Sequence, residues 1–182
     1  MPANVVLFDE DTIAKRVDEL AQEIASRLPA GFMVVGLLKG SFVFVADLVR
    51  ALHRHGSAPQ VEFMRLSSYG LGTVSAGEVH LLGDVPSDVA RRDVLLVDDI
   101  VDTGHSLRYA RTLLEQRGVA HTFTCALIDK PSRRKVDVTL DFVGFAIGDV
   151  FIAGYGIDYA ERYRELPVIV AVEDADQPAI QT

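Results

Sequence analysis

Val94-Leu95-Leu96-Val97-Asp98-Asp99-Ile100-Val101-Asp102-Thr103-Gly104-His105-Ser106-Leu107 runs from an apolar strand, through three carboxylates, into a small-residue turn that opens a helix. Backbone N–H groups in such a turn, at a helix N-terminus, can hold a phosphate. The acids before it can hold sugar hydroxyls, or a metal ion bound to them. That order of parts suits a sugar carrying a phosphate. Gly104 forms the turn without a Cβ clash, and Thr103 and Ser106 bring hydroxyls to the same anion. Asp98 and Asp99 are neighbours on a strand, where side chains alternate. A curl of the backbone at the strand end would let both reach one ribose. Taken alone, the run also has a plainer reading, an Asp-rich strand end that caps a helix.

Outward from this run, strands alternate with helices. Residues 9–28 place Ile13, Val17, Leu20, Ile24 and Leu28 on one helical face, with Asp9 or Asp11 as cap and Pro29 beyond the end. Residues 32–38 read as a buried strand, 39–41 as a turn and 42–53 as a second helix. Strands follow at 61–66, 79–82 and 94–97, then a helix over 106–116 stopped by Gly118. Further strands are expected at 121–128, 142–145 and 150–153. Residues 67–77 are rich in Gly and Ser and read as a long mobile loop, a lid. Residues 173–182 are polar and expected to fray. The alternation implies a mainly parallel sheet with helices on both faces. Ligands of such sheets sit at the carboxyl ends of strands, where Lys39-Gly40, the 98–106 run and Asp129-Lys130 all fall.

The 182 residues suit one domain, 1–182, without repeats or a linker. A hydrophobic fraction of 49% indicates a packed chain rather than disorder. No apolar run reaches the roughly 18–20 residues needed to span a bilayer, and the first residues do not read as a signal peptide. The single cysteine, Cys125, excludes an internal disulfide and fits a reducing cytoplasm. It lies in an apolar strand and reads as a small buried hydrophobe. A net charge of -8 argues against broad nucleic-acid binding. The basic clusters Arg91-Arg92 and Arg133-Arg134-Lys135 read as solvated loops. The five histidines show no metal-ligand spacing with Cys125.

The central run resembles the phosphoribosyl-pyrophosphate (PRPP) signature of the type I phosphoribosyltransferases, and the rest of the chain is similar to their hypoxanthine-guanine branch. Leu37-Leu38-Lys39-Gly40-Ser41 resembles the family's pyrophosphate loop. Ser68-Tyr69-Gly70 resembles the start of its flexible loop, about 67–78 here. Leu127-Ile128-Asp129-Lys130-Pro131 resembles the segment with its purine-reading lysine. The stretches 141–145, 151–159 and 162–167 resemble the part that closes over the base. The likeness covers about residues 8–170. It implies an α/β fold, a mainly parallel sheet flanked by helices, with a small hood from terminal segments.

The resemblance also implies a reaction and a set of roles. Phosphoribose passes from PRPP to a 6-oxopurine, giving IMP or GMP and pyrophosphate, with Mg²⁺ as cofactor. Asp98 and Asp99 would hold the ribose and its metal. Asp102, Thr103, Gly104, His105 and Ser106 would complete the ribose and 5′-phosphate site, and Asp102 would act near N7 of the purine as base or electrostatic stabiliser. Lys39, Gly40 and Arg164 would line the pyrophosphate site, whose loop often has unusual peptide geometry in the family. Lys130 would donate to the 6-oxo group, Phe151 would stack on the ring, and Ile152 would offer backbone groups to the base edge. Asp158 would lie near a second metal. Ser68 and Tyr69 would close over the reacting centre and exclude water.

The chain departs from its relatives at Asp98, where many carry Glu, and at His105 and Ser106, where Lys or Asn and Thr are common. Phosphate binding then leans on the backbone. The partners expected are PRPP and a 6-oxopurine, with no membrane and no nucleic acid. A homodimer or homotetramer is expected too, with a self-association patch near Phe42, Phe44 and Val45. Three rivals are weighed against this reading. One is a same-fold enzyme for adenine, orotate or uracil. Another is a PRPP-sensing regulator that binds nucleic acid, and the last is an inactive binding module.

Overall fold

Two strands that leave in opposite directions across one sheet determine where a ligand can sit. In a computed structural model that describes residues 5–69 and 78–172, the chain forms β1 (Val5–Phe8), α1 (Glu10–Arg27), β2 (Met33–Leu38), α2 (Phe42–Arg54), β3 (Gln60–Tyr69) and β4 (Glu78–Leu81). It continues through β5 (Asp93–Val101), α3 (His105–Gln116), β6 (His121–Asp129), a short 3-10 turn (Pro131–Arg133), β7 (Phe142–Ala146), β8 (Ile152–Ala153) and β9 (Ile169–Ala171). The main sheet has the order β4-β3-β2-β5-β6-β7. Its ladders are parallel except for the antiparallel β3–β4 edge. From β2 the chain moves outward to β3. From β5 it moves the other way, through β6 to β7. The strand order therefore reverses between β2 and β5, the place where open α/β sheets form a ligand crevice.

Both faces of the sheet are covered, as the alternation of elements requires. Along β5, Leu95 and Val97 face the core under α1 and α2, while Val94 and Leu96 face the core under α3. Helix α1 buries Ile13, Val17, Leu20, Ala21 and Ile24, and Asp9 caps it by accepting from Thr12 N at 2.8 Å. Arg16 ties the exposed side of α1 to the far edge of the sheet, donating to Gly144 O at 2.9 Å and Val143 O at 2.8 Å. Cys125 is fully buried in β6, where desolvation pushes its thiol pKa up.

The terminal segments form the expected hood, a three-stranded antiparallel sheet in the order β1-β9-β8. Neither β1 nor β9 follows from the local pattern, because strands of three or four residues carry too little periodicity to read. Two boundaries differ from expectation. Strand β3 continues through Ser67, Ser68 and Tyr69, which pair with His80, Val79 and Glu78, so these three residues belong to a strand and not to the loop expected from residue 67. Residues 70–77 and 173–182 lie outside the described residues. Strand β5 runs to Val101 rather than ending at Val97, because its parallel pairing with β6 continues through Asp98, Ile100 and Val101.

The expected self-association patch is reduced to one of its three residues. Phe44 and Val45 are buried in the α1–α2 core, whereas Phe42 is exposed. Phe44→Ala removes a fully buried ring and is expected to lower unfolding free energy by about 3–5 kcal/mol, measured by urea denaturation.

Candidate active site

The loop after β2 and the end of β5 meet at one atom-to-atom contact. A Cβ placed on Gly40 would lie 1.8 Å from Asp99 Oδ2 and 2.4 Å from its carboxyl carbon. Only a residue without a side chain leaves room for Asp99 there. The peptide before it, Leu38–Lys39, is cis, which accords with the loop geometry that the resemblance implies. Ser41 closes the same turn by donating from Oγ to Leu37 O at 2.6 Å.

Asp98 and Asp99 do not diverge as strict strand alternation would have it: their carboxyl groups lie within hydrogen-bonding reach of each other. Asp99 turns towards Gly40, on the α2 side. Asp98 is buried and accepts from Asp99 N at 3.0 Å. Both line one cleft of about 210 Å³ at the carboxyl ends of β2 and β5. Lys39, Gly40, Asp102, Thr103, Gly104 and Ser106 line it too. Burial, then the charge of Asp99, raises the Asp98 pKa well above the usual carboxylate range. Burial raises that of Asp99 as well. Such a pair favours a ligand that supplies hydroxyl donors or a cation.

The turn after β5 opens a helix, as the sequence suggests. Gly104 has φ +88° and stands at the N-cap of α3. Thr103 O accepts from Lys135 N at 3.0 Å and Val136 N at 3.2 Å, so the segment 134–138 buttresses the turn from outside. Thr103, His105 and Ser106 are partly exposed around it.

The purine-reading candidates gather at the ends of β6 and β8. Lys130 is buried, and its Nζ donates to Val150 O at 2.7 Å. Desolvation lowers its pKa, opposed by Asp102 and Asp149. Phe151 is 54% exposed, which excludes the core-packing role common for phenylalanine and leaves its ring open to a ligand. Its carbonyl accepts from Val172 N at 2.9 Å. Ile152 therefore sits at a non-hydrogen-bonded position of the β8–β9 ladder, with its own N–H and C=O turned away from β9.

Charged partners that the sequence reading missed surround these groups. Arg133 Nε is 3.1 Å from Asp102 Oδ1, and Arg133 Nη1 is 3.4 Å from Asp149 Oδ2. Arg134 pairs with Asp129 and packs its stem where a Cβ on Gly104 would come within 3.1 Å. The basic run 133–135 is solvent-exposed at Arg133 and Lys135, as a solvated loop would be, while Arg133 and Arg134 also brace the site. Its position three residues after Lys130 was the available signal. Lys39 Nζ pairs with Glu161 at 2.8 Å. Arg164 Nη2 lies 2.7 Å from Asp158 Oδ1, and Nη1 donates to Gly156 O at 2.8 Å. Lys39 chiefly, and Arg164 further off, hold the Glu161 carboxyl below its usual range.

Among the described residues, no three acid, histidine or cysteine side chains gather as a metal cage. Asp158 stands apart from the Asp98–Asp99 pair, with one oxygen on Arg164 and the other accepting from Glu161 N at 2.9 Å. An adjacent acid pair opening onto a cleft fits Mg²⁺, which takes one or two carboxylates and completes its shell with substrate oxygens and water. A larger cavity of about 870 Å³ lies between α1, α2 and residues 164–167. It shares only Arg164 with the candidate residues, so the smaller cleft is the chemically equipped one.

A family model for the phosphoribosyl transferase domain matches residues 7–160. The chain belongs to the phosphoribosyltransferase family. It is 43% identical over 171 residues to the hypoxanthine-guanine phosphoribosyltransferase of Bacillus subtilis, covering 93% of both chains. It is 46% identical over 171 residues to that of Aquifex aeolicus, covering 93% of this chain and 94% of the relative. A solved hypoxanthine phosphoribosyl transferase of Trypanosoma cruzi superposes with a TM-score of 0.85 at 38% identity, over 92% of this chain and 90% of that one.

Gly40→Ala forces the Asp99 carboxylate out of its seat. PRPP affinity measured by titration calorimetry is expected to fall about tenfold or more, about 1.4 kcal/mol, in protein whose far-UV circular dichroism is unchanged.

Proposed function

We propose that this phosphoribosyltransferase moves the 5-phosphoribosyl group of PRPP onto N9 of hypoxanthine or guanine, releasing pyrophosphate, as a purine salvage enzyme. The observation that carries the base assignment is Lys130: a buried ammonium, bonded to Val150 O beside the exposed ring of Phe151. An ammonium there donates to a 6-oxo group, and the backbone of Ile152 offers the edge contacts that tell one purine from another. The relatives named above are enzymes, and nothing in the likeness favours the PRPP-sensing, nucleic-acid-binding regulator.

The chemistry breaks the bond between ribose C1 and pyrophosphate oxygen and forms the bond to purine N9, through an oxocarbenium-like ribose. Backbone N–H groups of the 102–106 turn, with Thr103 and Ser106, anchor the 5′-phosphate. Asp98 and Asp99 fix the ribose hydroxyls and lend negative charge to the ring as it turns cationic. Asp102 receives the N7 proton, and Arg133, 3.1 Å away, orients it. Lys39 and Arg164 take the charge of the departing pyrophosphate. Mg²⁺, held by Asp98 and Asp99 with a second ion near Asp158, would neutralise pyrophosphate oxygens when bound. Ser68 and Tyr69 would act from the β3 end as part of the lid that keeps water from the ribose.

Two further assignments belong to this reading. The protein is proposed to work in the cytoplasm, in keeping with the lone Cys125 and with described helices that are not long and apolar enough to cross a membrane. It is also proposed to form homodimers or homotetramers, with the exposed Phe42 at the contact. The T. cruzi relative, whose C-terminal region bears on oligomeric state and enzymatic activity, supports self-association in the family.

Asp102→Asn is expected to lower turnover by about 10²–10⁴-fold while PRPP binding by calorimetry survives; equal loss of both would make Asp102 a structural residue. Lys130→Ala is expected to raise the KM for hypoxanthine and erode discrimination against adenine, read from competing-base assays. Unchanged base preference would remove Lys130 from that role.

A further inference from the structure

Both cations assigned to pyrophosphate are already occupied by carboxylates. Lys39 Nζ lies 3.0 Å and 2.8 Å from the two oxygens of Glu161, the two-oxygen contact that a phosphate would make. Arg164 Nη2 is 2.7 Å from Asp158 and 3.7 Å from the same Glu161. The backbone that presents Glu161 is an unusual choice for its residues. Tyr159 and Arg162 exchange backbone hydrogen bonds at 3.1 Å, enclosing a two-residue turn of Ala160 and Glu161. Both have positive φ, 52° and 60°, the pattern of a type I′ turn, which favours Asn-Gly. A side chain at that second position is held against conformational preference. Glu161 N is secured by Asp158 Oδ2 at 2.9 Å, so the turn aims the carboxylate at Lys39 while Asp158 holds Arg164.

We propose that Glu161 is an internal stand-in for pyrophosphate. Its carboxylate takes Lys39 when the site is empty, is displaced when the pyrophosphate group of PRPP arrives, and returns as free pyrophosphate leaves. The inference rests on the pyrophosphate reading of Lys39. The pair is half open to water, with side-chain exposures of 49% for Lys39 and 69% for Glu161. A pair of that kind is weak, which suits a competitor: it tempers affinity without blocking the substrate. When pyrophosphate leaves, the returning carboxylate saves Lys39 from facing the cleft unpaired.

The test is Glu161→Gln, which keeps the shape and removes the charge, assayed for inhibition by pyrophosphate against PRPP with Mg²⁺ and hypoxanthine. The inhibition constant and the KM for PRPP are both expected to fall by about two- to fivefold, with the KM for hypoxanthine unchanged. The gap should close as salt rises from about 0.05 M to about 0.5 M, because the competition is electrostatic. A merely structural Glu161 would instead weaken PRPP and pyrophosphate at every salt concentration. Unchanged or weaker pyrophosphate binding in Glu161→Gln overturns the proposal. Lys39→Ala separates the two readings. If it leaves pyrophosphate inhibition unaltered, the pyrophosphate assignment of Lys39 fails as well. If it weakens inhibition, and Glu161→Gln then has little effect in the Lys39→Ala background, the two residues act through each other.

Discussion

The close approach of Asp99 to Gly40 ties the two halves of the sheet to one chemical purpose. The contact exists because β2 and β5 are neighbours where the strand order reverses, so the loop leaving one and the acids ending the other share a crevice. A side chain at residue 40 would occupy the seat of the Asp99 carboxylate. Everything else in the site is arranged around that seat. The turn proposed for phosphate follows β5, Lys130, proposed to read the purine, follows β6, and the terminal segments carry Phe151 and Arg164.

The site stores electrostatic cost and relieves it with charges of its own. Two adjacent carboxylates at a buried strand end both resist ionisation, and a well-packed apolar pair would stabilise the fold more. The arrangement makes sense for a ligand that brings hydroxyls, a metal ion and a cationic transition state. Around the pair, Arg133 meets Asp102, Lys39 meets Glu161 and Arg164 meets Asp158. The ligand-free site is therefore a set of exchangeable ion pairs. In the proposed reading, phosphate oxygens would replace protein carboxylates at the cations and substrate groups would meet the acids, so little charge would be left bare at any stage.

Much of this was legible in the residues because it is local. Asp98-Asp99 followed by Asp102-Thr103-Gly104 fixes a strand, a turn and a helix start within one run, and the 3.6-residue spacing of α1 marks its buried face directly. The hood was not legible from pattern, since β1 and β9 owe their pairing to each other across the length of the chain. Nor were the ion pairs: Lys39 and Glu161 are far apart in sequence, and Arg133 read as an ordinary loop cation until the 3-10 turn after Lys130 set it against Asp102. On α2, an apolar run of Phe42, Val43, Phe44 and Val45 gave no way to tell which side chains face the core. The helix phase settled it, burying Phe44 and Val45 and leaving Phe42 outside.

The central claim is that the cleft at the β2–β5 reversal joins a phosphoribosyl donor to a 6-oxopurine. The most direct measurement is a product assay with PRPP and Mg²⁺, offering hypoxanthine, guanine, xanthine, adenine, uracil and orotate separately. The account predicts nucleotide and pyrophosphate from 6-oxopurines alone. Nucleotide from adenine, uracil or orotate, or none from any base in folded protein that still binds PRPP, would contradict it.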